Sequence, residues 1–468
     1  MIRTLNDASP VRPAAPEAPP DPAPAGAGRA SVTRVTRGRF LAAAGGGLGA
    51  VALAACGAPA GAPAGGPAQP AQPVSVEYWS TLPTTHPEGK GRMEAMKLSE
   101  AANAEHVKVR YEQDGGTNWE KIVAALTAGS PPDLLVFRPN NAAALADMGA
   151  GADVESELKT QAQWAKTRPQ VSQTLLDGIT WRGKLVGLPL YTVNLAMMYA
   201  PEHLEKAGVP APAATWTWND FESIAKRAAR PPDVWGLDLA WDTTNWQIWA
   251  GSNGARFINK EQTKISYTQP ESLNAVEFLS KLTHGLGLVP LEPAGELLVK
   301  GQTVFERQGP YRMPVLREAG VRFEPLLMPR GPDRPTPYNL ASMYSFLFFK
   351  SADPARRKAA LQVALGCLAD EPQTAMCRIH LGMPVSRGAQ QSAGFQQYLA
   401  QDRQMKTFAE MMPSVDVYPA VPSLEQMWTL RTDAMVKVFK RQDNARNAML
   451  DCEQQTQRLL DQDLAAKK

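Results

Sequence analysis

NWEKIVAALTAGSPPDLLVF, residues 118 to 137, passes from a helix pattern to a buried-strand pattern across a single break. Trp119 to Thr127 reads as helix. Gly129-Ser130-Pro131-Pro132 stops it, because proline lacks the N–H a helix needs and clashes with the preceding turn. Asp133-Leu134-Leu135-Val136-Phe137 is then a short apolar run, the form of a strand covered on both faces. Upstream, Val74-Ser75-Val76-Glu77-Tyr78-Trp79 alternates, a polar helix follows, and Val107-Lys108-Val109-Arg110-Tyr111 alternates again. Strand, helix, strand, helix, strand is the order of an α/β protein built on mainly parallel sheets.

Later helices keep a 3.6-residue period. Phe221, Ile224, Ala225 and Ala228 form one stripe; Ala275, Phe278, Leu279 and Leu282 form another, with Gly285 placed to stop it. Leu361, Ala364, Leu365 and Leu368 form a third. Thr217 precedes the first of these with Asp220 three residues on, the spacing of a capping box. These stripes face a core and carry no functional signal. The roughly 395 residues from Val74 onward exceed what one core organises, so two lobes are expected.

The N-terminal part has a different character. In RGRFLAAAGGGLGAVALAACG, residues 37 to 57, the apolar run is shorter than the roughly 20 residues of a membrane span. A short apolar run behind basic residues is the form of an export signal. Leu53-Ala54-Ala55-Cys56-Gly57 resembles a bacterial lipobox, in which the peptidase cuts before a lipidated cysteine. Thr36-Arg37-Gly38-Arg39-Phe40-Leu41 resembles a twin-arginine motif with Gly38 in place of one paired arginine. Residues 1–55 are therefore expected to be a leader, and residues 56–73 a Pro/Ala/Gly tether behind lipidated Cys56. Fully extended, the stretch after Cys56 reaches about 55 Å. The competing readings are a cleaved signal with an incidental cysteine and a core segment.

Composition narrows the function. The net charge of +3 is supplied by residues 1–55, with six Arg against two Asp and one Glu, so the remainder is near neutral. Nothing points to nucleic acid. Beyond Cys56 there are Cys367, Cys377 and Cys452. Three thiols do not make a disulfide framework, although one pair stays open. Cys367 and Cys452 sit on apolar helix stripes as small core residues. The five His fall in no metal-ligand spacing, and no phosphate loop, dinucleotide fingerprint or nucleophile elbow occurs. Neither a metal nor a cofactor is expected, and no catalytic residue is singled out.

Tryptophan is the enriched residue, at eleven. An indole covers the apolar C–H face of a sugar ring while amides, hydroxyls and guanidinium groups bind its hydroxyl rim. DTTNWQIWAGSNGARF, residues 242 to 257, sets Trp246 and Trp249 among Asn, Thr, Gln and Ser, an odd composition for a core and a plausible sugar surface. Core packing is the competing reading for each tryptophan.

The order of segments resembles the extracellular solute-binding proteins of carbohydrate ABC transporters, the family of maltose-binding and glycerol-phosphate-binding proteins, over roughly residues 74–468. Asn118 through Asp133 is similar to that family's helix, glycine turn and Pro-Asp strand start. Gly183-Lys184-Leu185-Val186-Gly187-Leu188-Pro189-Leu190-Tyr191 resembles its first interlobe crossing, and Met197-Met198-Tyr199 through Ala207-Gly208-Val209 the segment after it. Thr215-Trp216-Thr217-Trp218-Asn219-Asp220-Phe221 resembles its capped helix, where Trp216 and Trp218 are packing residues. Gln308-Gly309-Pro310-Tyr311 resembles the second crossing, and Pro422 to Arg431, with Trp428 six residues past the proline, the late helix that presents an aromatic ring to sugar.

The resemblance implies a two-lobed periplasmic-binding-protein-like fold of type II, with an interlobe cleft and hinge. Lobe one is expected over 74–188 and 312–352, and lobe two over 189–311 and 353–468. It implies a non-enzymatic, monomeric receptor, extracytoplasmic and anchored to the bacterial membrane through Cys56, that passes a carbohydrate or sugar-like solute to an ABC permease. Strand ends face the cleft in such sheets, so Trp79, Ser80, Trp119, Phe137 and Arg138 are expected from the first lobe, with Tyr191 just after the first crossing. Trp246, Trp249, Trp428 and Arg431 are expected from the second, with Tyr311 and Tyr344 at the later crossings. Phe137 also reads as the plain end of a buried strand. Two other functions compete: a ligand sensor for a membrane receptor kinase, and a secreted carbohydrate-active enzyme, which requires two carboxylates about 5–10 Å apart.

Overall fold

The computed structural model describes residues 72–112, 118–293, 295–351 and 353–466. The leader, Cys56 and all but the last two residues of the tether lie outside them. In chain order the strands are β1 (Val74–Ser80), β2 (Val107–Tyr111), β3 (Leu134–Phe137), β4 (Thr180–Trp181), β5 (Lys184–Leu185) and β6 (Leu188–Asn194). Then come β7 (Ala196–Tyr199), β8 (Trp235–Asp238), β9 (Thr303–Gln308), β10 (Glu324–Leu326), β11 (Asn339–Phe348), β12 (Met383–Pro384) and β13 (Val415–Val417).

They form two main sheets. The first runs β12-β6-β11-β3-β1-β2, with β13 also pairing β11. β1 is parallel to β2 and β3, while β11 is antiparallel to β3 and β6. The second runs β10-β7-β9-β8, and β4 and β5 make a separate hairpin. Each main sheet anchors its own core. Val76, Leu134, Leu135 and Phe346 belong to the first; Phe221, Leu237, Ala275 and Phe305 belong to the second. Two sheets with two cores are two lobes. Only Leu195 separates β6 of the first sheet from β7 of the second, so the chain crosses there in extended form.

Local signals in the sequence act as physics requires. The helix Trp119–Thr127 begins where the Asn118 side chain accepts from the Lys121 amide at 2.9 Å and ends before Gly129 at φ +73°. The Thr217/Asp220 capping box is closed in both directions, at 3.2 Å and 2.9 Å. Of the stripe behind it, Phe221, Ala225 and Ala228 are buried.

Lobe boundaries differ from the sequence expectation: β6 belongs to the first sheet rather than the second lobe, and Met328, Tyr338 and Leu340 pack in the second core rather than the first. Residues from Ala359 to Val417 pack in the first core, not the second, and only from Tyr418 onward does the chain join the second. The helices Pro354–Gly366 and Asp370–His380 lie against the first-lobe helix Pro87–Ala102. A helix stripe shows which face is buried but not which sheet covers it. Cys367, Cys377 and Cys452 are free and buried, so no pair forms among them.

Candidate ligand-binding cleft

Because β1 and β3 are parallel, their carboxyl ends lie on one side of the first sheet. Phe137 ends β3, and Arg138 is the N-cap residue of the helix Pro139–Asp147. Tyr344 on β11 stands opposite Tyr191 on β6, their rings stacked at 4.9 Å. Phe137 stacks on Trp119 at 6.3 Å. Trp119, Phe137, Arg138 and Tyr344 all keep partial exposure. The Tyr344 hydroxyl is held above the ordinary phenol range by the Glu88 carboxylate and by burial, with Arg138 and Arg92 opposing.

Arg138 reaches into the second lobe. Its guanidinium carbon lies 5.3 Å from the centre of the Trp428 ring, and Nη1 lies 3.4 Å from Glu425 Oε1. Both partners belong to the helix Leu424–Phe439, which packs in the second core. The Trp428 ring meets Tyr418 edge-on at 5.0 Å, and the Tyr418 hydroxyl lies 3.4 Å from Thr244 Oγ1. Thr244 sits in the first turn of the helix Thr243–Ser252, capped by Asp242, whose side chain accepts from the Asn245 amide at 2.7 Å. Arg307 on β9 donates through Nε to Asn245 Oδ1 at 3.0 Å and lies 3.8 Å from Asp242. Burial works against the Arg307 charge, but Asp242, Tyr311 and Tyr418 hold its pKa above the usual value. Tyr311, just past β9, is 41% exposed.

The arrangement is therefore an aromatic and guanidinium surface on each side of a seam between lobes. Among the described residues, Trp428 Nε1 and the side-chain oxygen of Asn141, on the helix that Arg138 caps, are buried without a protein partner. Such atoms cost roughly 1–3 kcal/mol each when left unpaired.

Not every expected residue takes part. Trp246 and Trp249 are each 0% exposed and sit in the second core. Trp246 packs edge-on to Phe257 and Tyr267, and Trp249 edge-on to Phe221. Their helix is buried on nearly all sides, so its polar residues serve internal bonds: Asn245 holds Ala240 and Arg307, and Gln247 holds Arg431. Tyr191 is also 0% exposed; its hydroxyl accepts from Arg92 at 2.9 Å and lies 3.1 Å from Glu88. Trp79 packs in the first core and donates to Glu77 at 2.9 Å. Ser80 is 4% exposed and donates to the Leu82 carbonyl at 2.7 Å. Arg431 is 2% exposed on a different stripe of the helix from Trp428. These six are corrected from ligand-facing to buried, whereas Trp119, Phe137, Arg138, Tyr311, Tyr344 and Trp428 keep some exposed surface.

The sequence reading missed Asp242, Thr244, Arg307, Tyr418 and Glu425. Asp242 carried a signal, since it precedes a helix after a strand end. Tyr418 carried none. Among the described residues no cluster of His, Cys, Asp and Glu is arranged to hold a metal ion, and no helix is long and apolar enough to cross a membrane.

Residues 95–407, about two thirds of the chain, match the model of the bacterial extracellular solute-binding protein family. The chain belongs to that family. Solved structures agree on the fold of this solute-binding protein. It is similar to the cyclic α-maltosyl-1,6-maltose binding protein from Arthrobacter globiformis, at 18% identity and TM-score 0.74 over 83% of this chain and 99% of that one. It is also similar to the sugar-binding protein MalE from Xanthomonas citri, at 16% identity and TM-score 0.71 over 83% and 98%. UgpB from Mycobacterium tuberculosis, in complex with glycerophosphocholine, matches at 15% identity and TM-score 0.68 over 84% and 99%. The solute-binding protein thus has the two-lobed fold of periplasmic binding proteins, and its family places it outside the cytoplasm.

Proposed function

We propose that this protein captures a sugar or sugar-like solute between its lobes and hands it unaltered to an ABC import permease. Lipid on Cys56 would hold it, as a monomer, at the outer face of the bacterial cell membrane. The observation that carries the proposal is Arg138 of one lobe set over the Trp428 ring of the other, with the indole N–H unpartnered. A pyranose that displaces Arg138 from the indole face gains a stacking surface and hydrogen-bond donors together. The sugar ligands named for the structures it resembles support the same class.

Contacts made only when the lobes meet around a solute would supply the energy of closure. The seam needs no reacting group for this, and a carrier that only binds leaves its solute unchanged. Titration of the purified protein with maltose, maltotriose, a cyclic maltosyl-maltose and glycerophosphocholine, followed by calorimetry and tryptophan fluorescence, tests the reading. Saturable binding of a saccharide that is recovered intact is expected. Binding of none of them, or release of cleavage products, would overturn it.

A further inference from the structure

We propose that a second groove, on the face of the helix Leu424–Phe439 next to the one that meets Arg138, binds a small organic oxyanion through Arg431. The helix shows two stripes, about 100° apart at 3.6 residues per turn. Glu425 and Trp428 meet Arg138, whereas Leu424, Met427 and Arg431 line a cavity of about 1530 Å³. Gly178 and Thr180 of the first lobe form one wall of it, with β13, and residues 255–267 of the second lobe form another.

Arg431 is the reason to assign a ligand there. Its residue is 2% exposed, yet among the described residues it forms no ion pair. Nη1 donates to Gln247 at 3.1 Å and Nε to the Met427 carbonyl at 3.3 Å, both neutral acceptors. The guanidinium carbon lies 5.7 Å from the Tyr267 ring centre. Nη2 is buried and has no acceptor. A buried cation without a counter-ion is costly, and the cost falls when an anion enters the adjoining space.

The rest of the groove fits that occupant. Arg256 and Arg334 line it too, and neither forms an ion pair among the described residues. Arg334 lies 4.9 Å over the Tyr338 ring. The carboxylate facing these two is Asp416 on β13, which accepts from the Val417 amide at 2.9 Å. Over the whole lining, five Lys and Arg stand against four carboxylates. The rings of Tyr267, Tyr338 and Phe257 supply apolar faces for the organic part. A guanidinium fork suits carboxylate and phosphate alike.

Calorimetry of the full chain at low salt with glucose 6-phosphate, glucuronate and glucose decides the matter. At least one anion is expected to bind in the micromolar to millimolar range, about −8 to −4 kcal/mol. Binding of glucose 6-phosphate alone assigns phosphate; binding of both anions shows that a carboxylate suffices. The anion should still bind in Trp428→Ala, and Arg431→Gln should weaken it about tenfold or more. If Arg431→Gln does not fold, the double variant Arg256→Gln/Arg334→Gln should weaken it instead. The proposal falls if neither anion binds, if the folded arginine variant binds as tightly as wild type, or if Trp428→Ala abolishes anion binding.

Discussion

Arg138 and Trp428 lie 290 positions apart in the chain and belong to different lobes, yet the guanidinium carbon sits 5.3 Å from the indole ring centre. Neither residue has the other as a neighbour in its own core. Their meeting is a property of how the two lobes face each other, and so it reports on the seam where a solute would lie.

Arg138→Ala and Trp428→Ala should each weaken solute binding about ten- to a hundredfold, the loss of one stacking or guanidinium contact in a desolvated site. Both side chains are only partly buried, so urea unfolding should change by about 1 kcal/mol or less. Calorimetry on the two variants checks this. Wild-type affinity in both would remove the seam as the binding site.

Trp246→Ala should behave in the opposite way. The ring is fully buried, 4.7 Å from Phe257 and 5.3 Å from Tyr267. Removing it leaves a cavity and should cost about 3–5 kcal/mol of stability, read from urea unfolding midpoints. Unchanged stability combined with lost binding would return Trp246 to the site.

Glu306 predicts a pH dependence. Burial pushes its carboxyl up to about 7, and Asp238, beside it across the β8–β9 pairing, adds to the rise. An acid whose folded pKa is raised binds more protons folded than unfolded. Its contribution is complete below the unfolded value near 4.5 and is lost as pH rises through about 7. Wild type should therefore lose up to about 3 kcal/mol between pH 5 and 8 relative to Glu306→Gln, which cannot ionise. His380, which burial pushes down to about 4, has the opposite trend and cancels in the comparison. Parallel stability profiles for the two proteins would show that Glu306 does not titrate in this range.

Cys56→Ser tests the anchor, which rests on the sequence alone. The variant should move from the membrane fraction to the soluble fraction after export, because a single acyl-bearing residue supplies the attachment. An unchanged membrane fraction would assign the attachment to something else.

Much of the fold was legible because it is written in local chemistry. The Gly129 to Pro132 break, the Thr217/Asp220 box and the apolar run into Phe137 each act within a few residues, and the structure places helix and strand where they require. The ends of parallel strands pointed to Phe137 and Arg138, which keep partial exposure, and equally to Trp79 and Ser80, which are buried. What failed was burial. Trp246 and Trp428 both sit among polar residues in the sequence, but one is sealed in a core and the other is partly exposed against Arg138.

Composition and periodicity fixed the element order and the two-core expectation, since each depends on contacts between near neighbours or on total length; the family came from the resemblance of motifs in their order along the chain. The tertiary structure alone decided that residues 359–417 return to the first core, and that Arg431 turns to a groove apart from Trp428. It also decided that Arg138 meets a helix from the other lobe. Side-chain exposure is set by what packs from afar, and a linear pattern names the buried face of a helix without naming its neighbour.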